Sequence, residues 1–257
     1  MGKVVAVFNQ KGGVGKTTTN VNLSACIAES GKKVCVIDID PQGNTTSGLG
    51  VDKNSVEYTI YDVMIDEVDI RDSIVNTEYE KLDLIASSVQ LAGAEIEITE
   101  MDNRELRLKE AINKIKEDYD YIFIDCPPSL GLLTINSLSA VDSVLIPIQC
   151  EYYALEGVSQ LMNTIQLVKR NLNPNLEVQG VILSMFDGRT NLSIQVVDEV
   201  KNYFRGKVYT TIIPRNVRLA EAPSHGQPVI YYDKKSKGAI AYTELAEEFL
   251  DLEEDVI

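Results

Sequence analysis

The chain has 257 residues, of which 44% are hydrophobic and 25% charged, with a net charge of −15. That length suits one α/β domain, and that composition excludes disorder as the main state; no apolar run reaches the roughly 18 residues a membrane helix needs. So acidic a chain should avoid nucleic acid unless it carries a local basic surface.

The N-terminus, Met1-Gly2-Lys3-Val4, lacks the long apolar stretch of a signal peptide, which predicts a cytoplasmic protein. Short β-branched runs then recur at Val4–Phe8, Val34–Ile39, Leu82–Ile85, Tyr121–Asp125, Val144–Ile148, Val178–Leu183 and Val208–Ile213. They are nearly continuous in hydrophobicity, as strands buried on both faces are. Helical periods lie between most of them, at about 16–30, 104–118, 131–140, 154–171, 192–204 and 239–251. Strand–helix alternation predicts an α/β fold, a mostly parallel twisted sheet with helices on both faces. Functional loops then fall at the carboxyl ends of the strands. The whole of 1–257 reads as one domain, with an irregular insertion at about 50–80 and an acidic tail at about 251–257.

After the first strand comes Gln10-Lys11-Gly12-Gly13-Val14-Gly15-Lys16-Thr17-Thr18, followed by a helix pattern. Glycines let backbone N–H groups wrap an anion, and a helix N-terminus aims at it, so this is a phosphate-binding loop. Lys16 would reach the β- and γ-phosphates and the Thr17 hydroxyl would ligate Mg²⁺. The usual first glycine of such a loop is replaced by Gln10, and a second lysine, Lys11, opens the loop. Lys11 cannot easily curl onto the same phosphates, but it can reach a nucleotide on a facing subunit.

The second strand ends Asp38-Ile39-Asp40-Pro41-Gln42-Gly43. Beside a phosphate loop, these two carboxylates suit Mg²⁺ waters and an attacking water; as a bare D-x-D they suit capping or a turn equally. Tyr121–Asp125 has the form of a Walker B strand, whose acid orients Mg²⁺. Cys126-Pro127-Pro128-Ser129 then turns sharply and could act as a switch loop. Cys26, Cys35, Cys126 and Cys150 are widely spaced and read as buried thiols. The one histidine, His225, sits in a loop with no partner for catalysis, and Tyr152-Tyr153 and Tyr231-Tyr232 read as packing. Residues 201–238 hold eight bases and two acids, a +6 segment in an otherwise −21 chain, readable as a solvated face or as a basic surface.

These residues resemble the ParA/Soj partitioning ATPases, of the deviant Walker A (ParA/MinD) group of P-loop NTPases. The resemblance runs from Lys3 to about Leu250 and rests on Lys11–Thr18, Val36–Thr46, Ile122–Leu133, Pro147–Gly157, and Ile213–Arg218 with Glu221–Gly226. It implies an ATPase that binds ATP or ADP with Mg²⁺ and pairs as an ATP-dependent homodimer with both nucleotides at the interface. Lys11 matches the lysine that contacts the opposite subunit's phosphates. Gly12, Gly13, Val14, Gly15, Lys16, Thr17 and Thr18 match the loop, Asp40 the acid that positions water, Asp38 a support of the Mg²⁺ shell and Asp125 the Walker B acid. Met185, Pro214 and Asn216 match the region that holds adenine, and Glu151 a position near the nucleotide across the dimer. The family binds double-stranded DNA without sequence preference and works with a ParB-type protein, implying a nucleoid-associated protein. Arg189 and Arg218 are the first candidates for DNA, with Lys201, Arg215, Lys234 and Lys237 behind them. A MinD-like membrane ATPase fits less well, because no Lys or Arg follows Lys237 to meet anionic lipid. An iron–sulfur-linked reductase ATPase would need paired cysteines, and a regulator of replication initiation could share the same site.

Overall fold

The structure is a computed structural model that describes residues 2–151 and 157–254. In chain order the first half holds β1 (Lys3–Val7), α1 (Lys16–Glu29), β2 (Val34–Asp38), α2 (Asn44–Gly48), α3 (Ile60–Met64), β3 (Ile74–Asn76), β4 (Leu82–Ile85), α4 (Leu91–Thr99), α5 (Arg107–Asn113) and β5 (Tyr121–Asp125). The second half holds α6 (Leu132–Ala140), β6 (Ser143–Gln149), α7 (Val158–Asn171), β7 (Glu177–Phe186), α8 (Asn191–Tyr203), β8 (Val208–Pro214), α9 (Val217–Glu221), α10 (Val229–Tyr232) and α11 (Lys237–Glu254).

The eight strands form one sheet in the order β3-β4-β2-β5-β1-β6-β7-β8. Every pairing is parallel except β3 with β4. This is the α/β sheet the alternating pattern predicts. Alternate residues of β1 serve opposite cores. Val4, Ala6 and, just past the strand, Phe8 pack with residues of α3 to α8, and Val5 and Val7 with α1 and α11. Burial on both faces explains why the strand reads as an unbroken apolar run. β1 lies between β5 and β6, where the strand order reverses, so the loop after β1 opens into the crevice at the sheet's carboxyl edge.

Several elements escape the sequence pattern: the short helices α2, α3, α9 and α10, and also β3 and α4. β3 is three residues at an antiparallel edge, too short for any period to show. α4 contains Gly93 and β-branched Ile96, Ile98 and Thr99, residues with weak helical preference. The helix expected at 104–118 is α5 followed by a 3₁₀ turn, Lys116–Asp118. The expected helix start at 154–156, Tyr152, Tyr153 and tail residues 255–257 lie outside the described residues. Among the described residues no helix is long and apolar enough to cross a membrane.

Candidate nucleotide site

The loop between β1 and α1 is a backbone cradle. Gly13 and Gly15 have φ of +75° and +95°, the left-handed region that a side chain enters at a cost. Gly15 is the N-cap of α1 and no side chain caps that helix, so its first N–H groups stay available to an anion. The loop is pinned from the far side. Buried Val14 gives its carbonyl to the Ser184 hydroxyl at 2.8 Å, at the end of β7. At its start, the Lys11 N–H donates to Asn9 Oδ1 at 3.0 Å, while the Lys11 side chain is exposed.

Lys16 is only 7% exposed, and its Nζ donates to the Lys11 carbonyl at 3.1 Å. Burial holds its amine below the usual lysine range, opposed by the nearby charges of Asp125, Cys126 and Asp40. A buried cation whose one protein partner is a loop carbonyl can exchange that carbonyl for a phosphate.

The acids come from the ends of neighbouring strands, β2 and β5, whose register sets Asp38 beside Asp125. The Asp125 Oδ2 accepts from Thr17 Oγ1 at 2.8 Å and from Thr45 Oγ1 at 2.7 Å. Its Oδ1 is buried with no hydrogen-bond partner. Burial first, opposed by those two hydroxyls, raises the Asp125 carboxyl above the ordinary range, with the charge of Asp40 adding to the rise. Such a carboxylate suits a divalent cation or the water bound to one.

Asp38 behaves differently from the expected support of a metal shell. One oxygen accepts from the Thr46 N–H at 2.8 Å and hydroxyl at 2.7 Å, and the other from the Asp40 N–H at 3.2 Å. Asp38 therefore anchors its own loop: both of its oxygens are taken by the Thr46 and Asp40 donors. Burial and the Asp125 charge raise its carboxyl too. Asp40 is 9% exposed, against 0% for Asp38 and Asp125. Its Oδ1 accepts from the Gln42 N–H at 2.9 Å, and its carbonyl from Gly43 N–H at 2.8 Å and Ser87 Oγ at 2.5 Å.

Beside the loop lies a cleft of about 220 Å³ whose lining includes Gly15, Thr18, Met185, Pro214, Asn216 and Leu219. Three of these are the residues the resemblance assigns to adenine. Met185 holds φ of +52°, uncommon for a residue with a side chain, at the lip of this cleft. Thr45, Thr46, Ser87 and Ser184 carry the second layer of the site and were not singled out from sequence. The one signal they leave in the sequence is the adjacent threonines seven and eight residues after Asp38.

The basic segment is not one patch. Lys201 lies in the last turn of α8, near the start of β8, whereas Arg215 directly follows β8. Seven residues of strand put about 20 Å between these ends. Arg189, Arg215 and Arg218 share the carboxyl edge with the phosphate loop, and each meets an acid. Arg189 pairs with Asp187 at 2.6 Å, Arg215 with Glu151 at 2.9 Å, and Arg218 with Glu221 at 2.7 Å and Asp233 at 3.2 Å. Among the described residues, no ion pair engages Lys201, Lys234 or Lys237. All four cysteines are buried free thiols, with Cys126 pushed up to about 12 and Cys150 to about 11 by burial. His225 stacks on Tyr232 at 4.9 Å.

A family model described as an AAA domain matches residues 2–178. The chain is 62% identical to the sporulation initiation inhibitor protein Soj of Bacillus subtilis, over 96% of this chain and 98% of that one. It is 51% identical to the chromosome partitioning protein ParA of Myxococcus xanthus, over 97% and 88%. Among solved structures, it is similar to the cobyrinic acid a,c-diamide synthase of Mycobacterium smegmatis with bound ADP and magnesium, at 38% identity and a TM-score of 0.85, over 96% and 93% of the chains.

Proposed function

The chain belongs to the Soj/ParA family of partitioning P-loop ATPases, and from that premise we propose that it is an ATP-gated, DNA-holding switch. Two ATP-loaded copies pair, the pair holds double-stranded DNA without reading its sequence, and hydrolysis stimulated by a ParB-type partner releases it. The observation that carries this reading is the buried Lys16 set against Asp125, whose Oδ1 has no protein partner. That pairing of a concealed cation and an open carboxylate oxygen fits a nucleotide phosphate with its metal. The ADP and magnesium in the Mycobacterium smegmatis protein support it.

Lys16 leaves the Lys11 carbonyl for the β- and γ-phosphates, and the uncapped start of α1 receives the same anion. Thr17 and Asp125 would hold Mg²⁺, which when bound neutralises phosphate charge. Asp40 orients the attacking water, while Asp38 keeps the Asp40 loop in place. Lys11, exposed at the mouth, reaches the phosphates of the facing copy. The cleft at Met185, Pro214 and Asn216 takes the adenine. With no strong base beyond Asp40, unstimulated turnover is slow.

Arg189 and Arg218 hold DNA phosphates, with Lys201, Arg215, Lys234 and Lys237 in support; phosphate contact alone suffices for binding without sequence preference. At −15 per copy, one subunit holds DNA weakly and a pair doubles the contacts. The same acidity suits a basic stimulating segment on the partner. The protein then works in the cytoplasm on the nucleoid.

Binding to a random-sequence duplex is the test, with no nucleotide, ADP, ATP, and ATP with Asp40→Ala, across a salt series. Binding in ATP alone, stronger with Asp40→Ala and falling steeply with salt, is expected. Asp40→Ala should retain ATP and lose phosphate release. Equal binding in ADP and ATP would remove the switch.

A further inference from the structure

We propose that Lys53 is a positioning residue for hydrolysis, clamping the turn that carries Asp40. The inference rests on the reading of Asp40 given above. Asp40-Pro41-Gln42-Gly43 is a tight turn closed by Gly43 N–H to the Asp40 carbonyl at 2.8 Å, with the Asp40 carboxylate held by the Gln42 N–H at 2.9 Å. Where that carboxylate points therefore depends on how Gln42 is held. Lys53, eleven residues downstream, donates from Nζ to the Gln42 carbonyl at 2.5 Å. Its stem lies flat on the turn: a Cβ at Gly43 would meet Lys53 Cε at 2.7 Å and Cδ at 3.1 Å.

The lysine is itself mounted on a fixed base. Asp52 accepts from the Asn54 N–H at 3.0 Å through its side chain, and from the Ser55 N–H at 3.0 Å and hydroxyl at 2.8 Å through its carbonyl. Among the described residues no carboxylate pairs with Lys53, so the Gln42 carbonyl is the one partner its charge has there. A hydrogen bond from a charged donor is roughly twice as strong as a neutral one. The turn is thus gripped from outside by Lys53 and from inside by the Ser87 hydroxyl on the Asp40 carbonyl. Among the described residues no hydrogen bond or ion pair joins Lys53 to the phosphate loop, so its effect falls on turnover and spares nucleotide affinity.

Steady-state phosphate release at saturating ATP and ADP titration are measured on Lys53→Met, Lys53→Arg and Asp40→Ala, each with its Tm. Methionine keeps the stem over Gly43 and removes the donor; arginine restores a donor. We expect kcat to fall about fivefold or more in Lys53→Met, to recover in Lys53→Arg, and the Kd for ADP to stay within about twofold in both. An unchanged kcat in Lys53→Met overturns the clamp, as does a rise in Kd matching the loss of kcat. Normal turnover in Asp40→Ala is a separate failure, of the Asp40 assignment and not of the clamp alone.

Discussion

The Thr17 hydroxyl donates to Asp125 Oδ2 across 2.8 Å, joining the first turn of α1 to the end of β5. With Thr45 on the same oxygen, Asp125 is aimed so that its other oxygen stays unpartnered. In the metal-free protein that buried charge is a cost; with Mg²⁺ and nucleotide it becomes a contact. Thr17→Ala and Asp125→Asn should each weaken Mg²⁺-dependent ADP binding by about 10- to 100-fold. Asp125→Asn should also leave the Tm of the ligand-free protein unchanged or higher. Calorimetry with and without Mg²⁺ checks the first, and thermal unfolding the second. Unaltered Mg²⁺ dependence in Asp125→Asn would take the metal away from this strand end.

The Asp38 and Asp125 carboxyls are both raised in the native state, by burial above all. In the unfolded chain they lose their protons near pH 4. Between there and the raised native values, the native state holds more protons than the unfolded one. Stability therefore falls as pH rises through that interval, by up to about 1.4 kcal/mol per pH unit for each proton retained. Chemical denaturation of the metal-free protein from pH 4 to 8 should show this contribution, and Asp125→Asn should flatten the curve relative to the parent. A difference curve between the two with no pH dependence contradicts the account.

Much of the nucleotide site is legible in sequence because its requirements are local. Glycines, a lysine and threonines must follow one another within nine residues, and an acid must end an apolar strand. The supports are not legible, because their partners are distant in the chain. Thr45 meets Asp125 across 80 residues and Ser184 meets Val14 across 170. Nothing near Lys53 in sequence marks it as gripping Gln42. The basic segment fails for the opposite reason. Its eight bases are neighbours along the chain, but β8 runs through them and carries Lys201 and Arg215 to opposite edges of the sheet.

Packing on the outer strands sets a stability test away from the chemistry. A Cβ at Gly180, in β7, would lie 2.4 Å from Tyr209 Cε2, on the buried ring of β8, and 3.3 Å from the Lys207 carbonyl. The tyrosine ring is only 2% exposed, so Gly180→Ala overpacks this pair of strands. The expected cost is about 1–3 kcal/mol, a Tm lower by several degrees for a chain of this size. Gly180→Ala with Tyr209→Phe keeps the ring and should not recover, whereas Tyr209→Leu should recover part of the loss. A Tm equal to the parent's in Gly180→Ala would show that β7 and β8 separate without strain.

The split of the basic residues turns the DNA proposal into a choice between two edges. Arg189 and Arg218 lie on the edge that carries the phosphate loop, where pairing of two ATP-loaded copies can bring their charges together. Lys201 lies about 20 Å away, at the far end of β8. Both arginines hold carboxylates, Arg189 with Asp187 and Arg218 with Glu221 and Asp233, and these must yield to phosphate. Exposed pairs of this kind are worth at most about 1 kcal/mol, so the exchange is not forbidding. In the presence of ATP, Arg189→Ala and Arg218→Ala should each weaken binding to a random duplex and lower the salt slope by about one. Lys201→Ala should change the slope less. A larger loss from Lys201→Ala than from either arginine would move the DNA to the opposite edge, where the nucleotide has no direct path to control it.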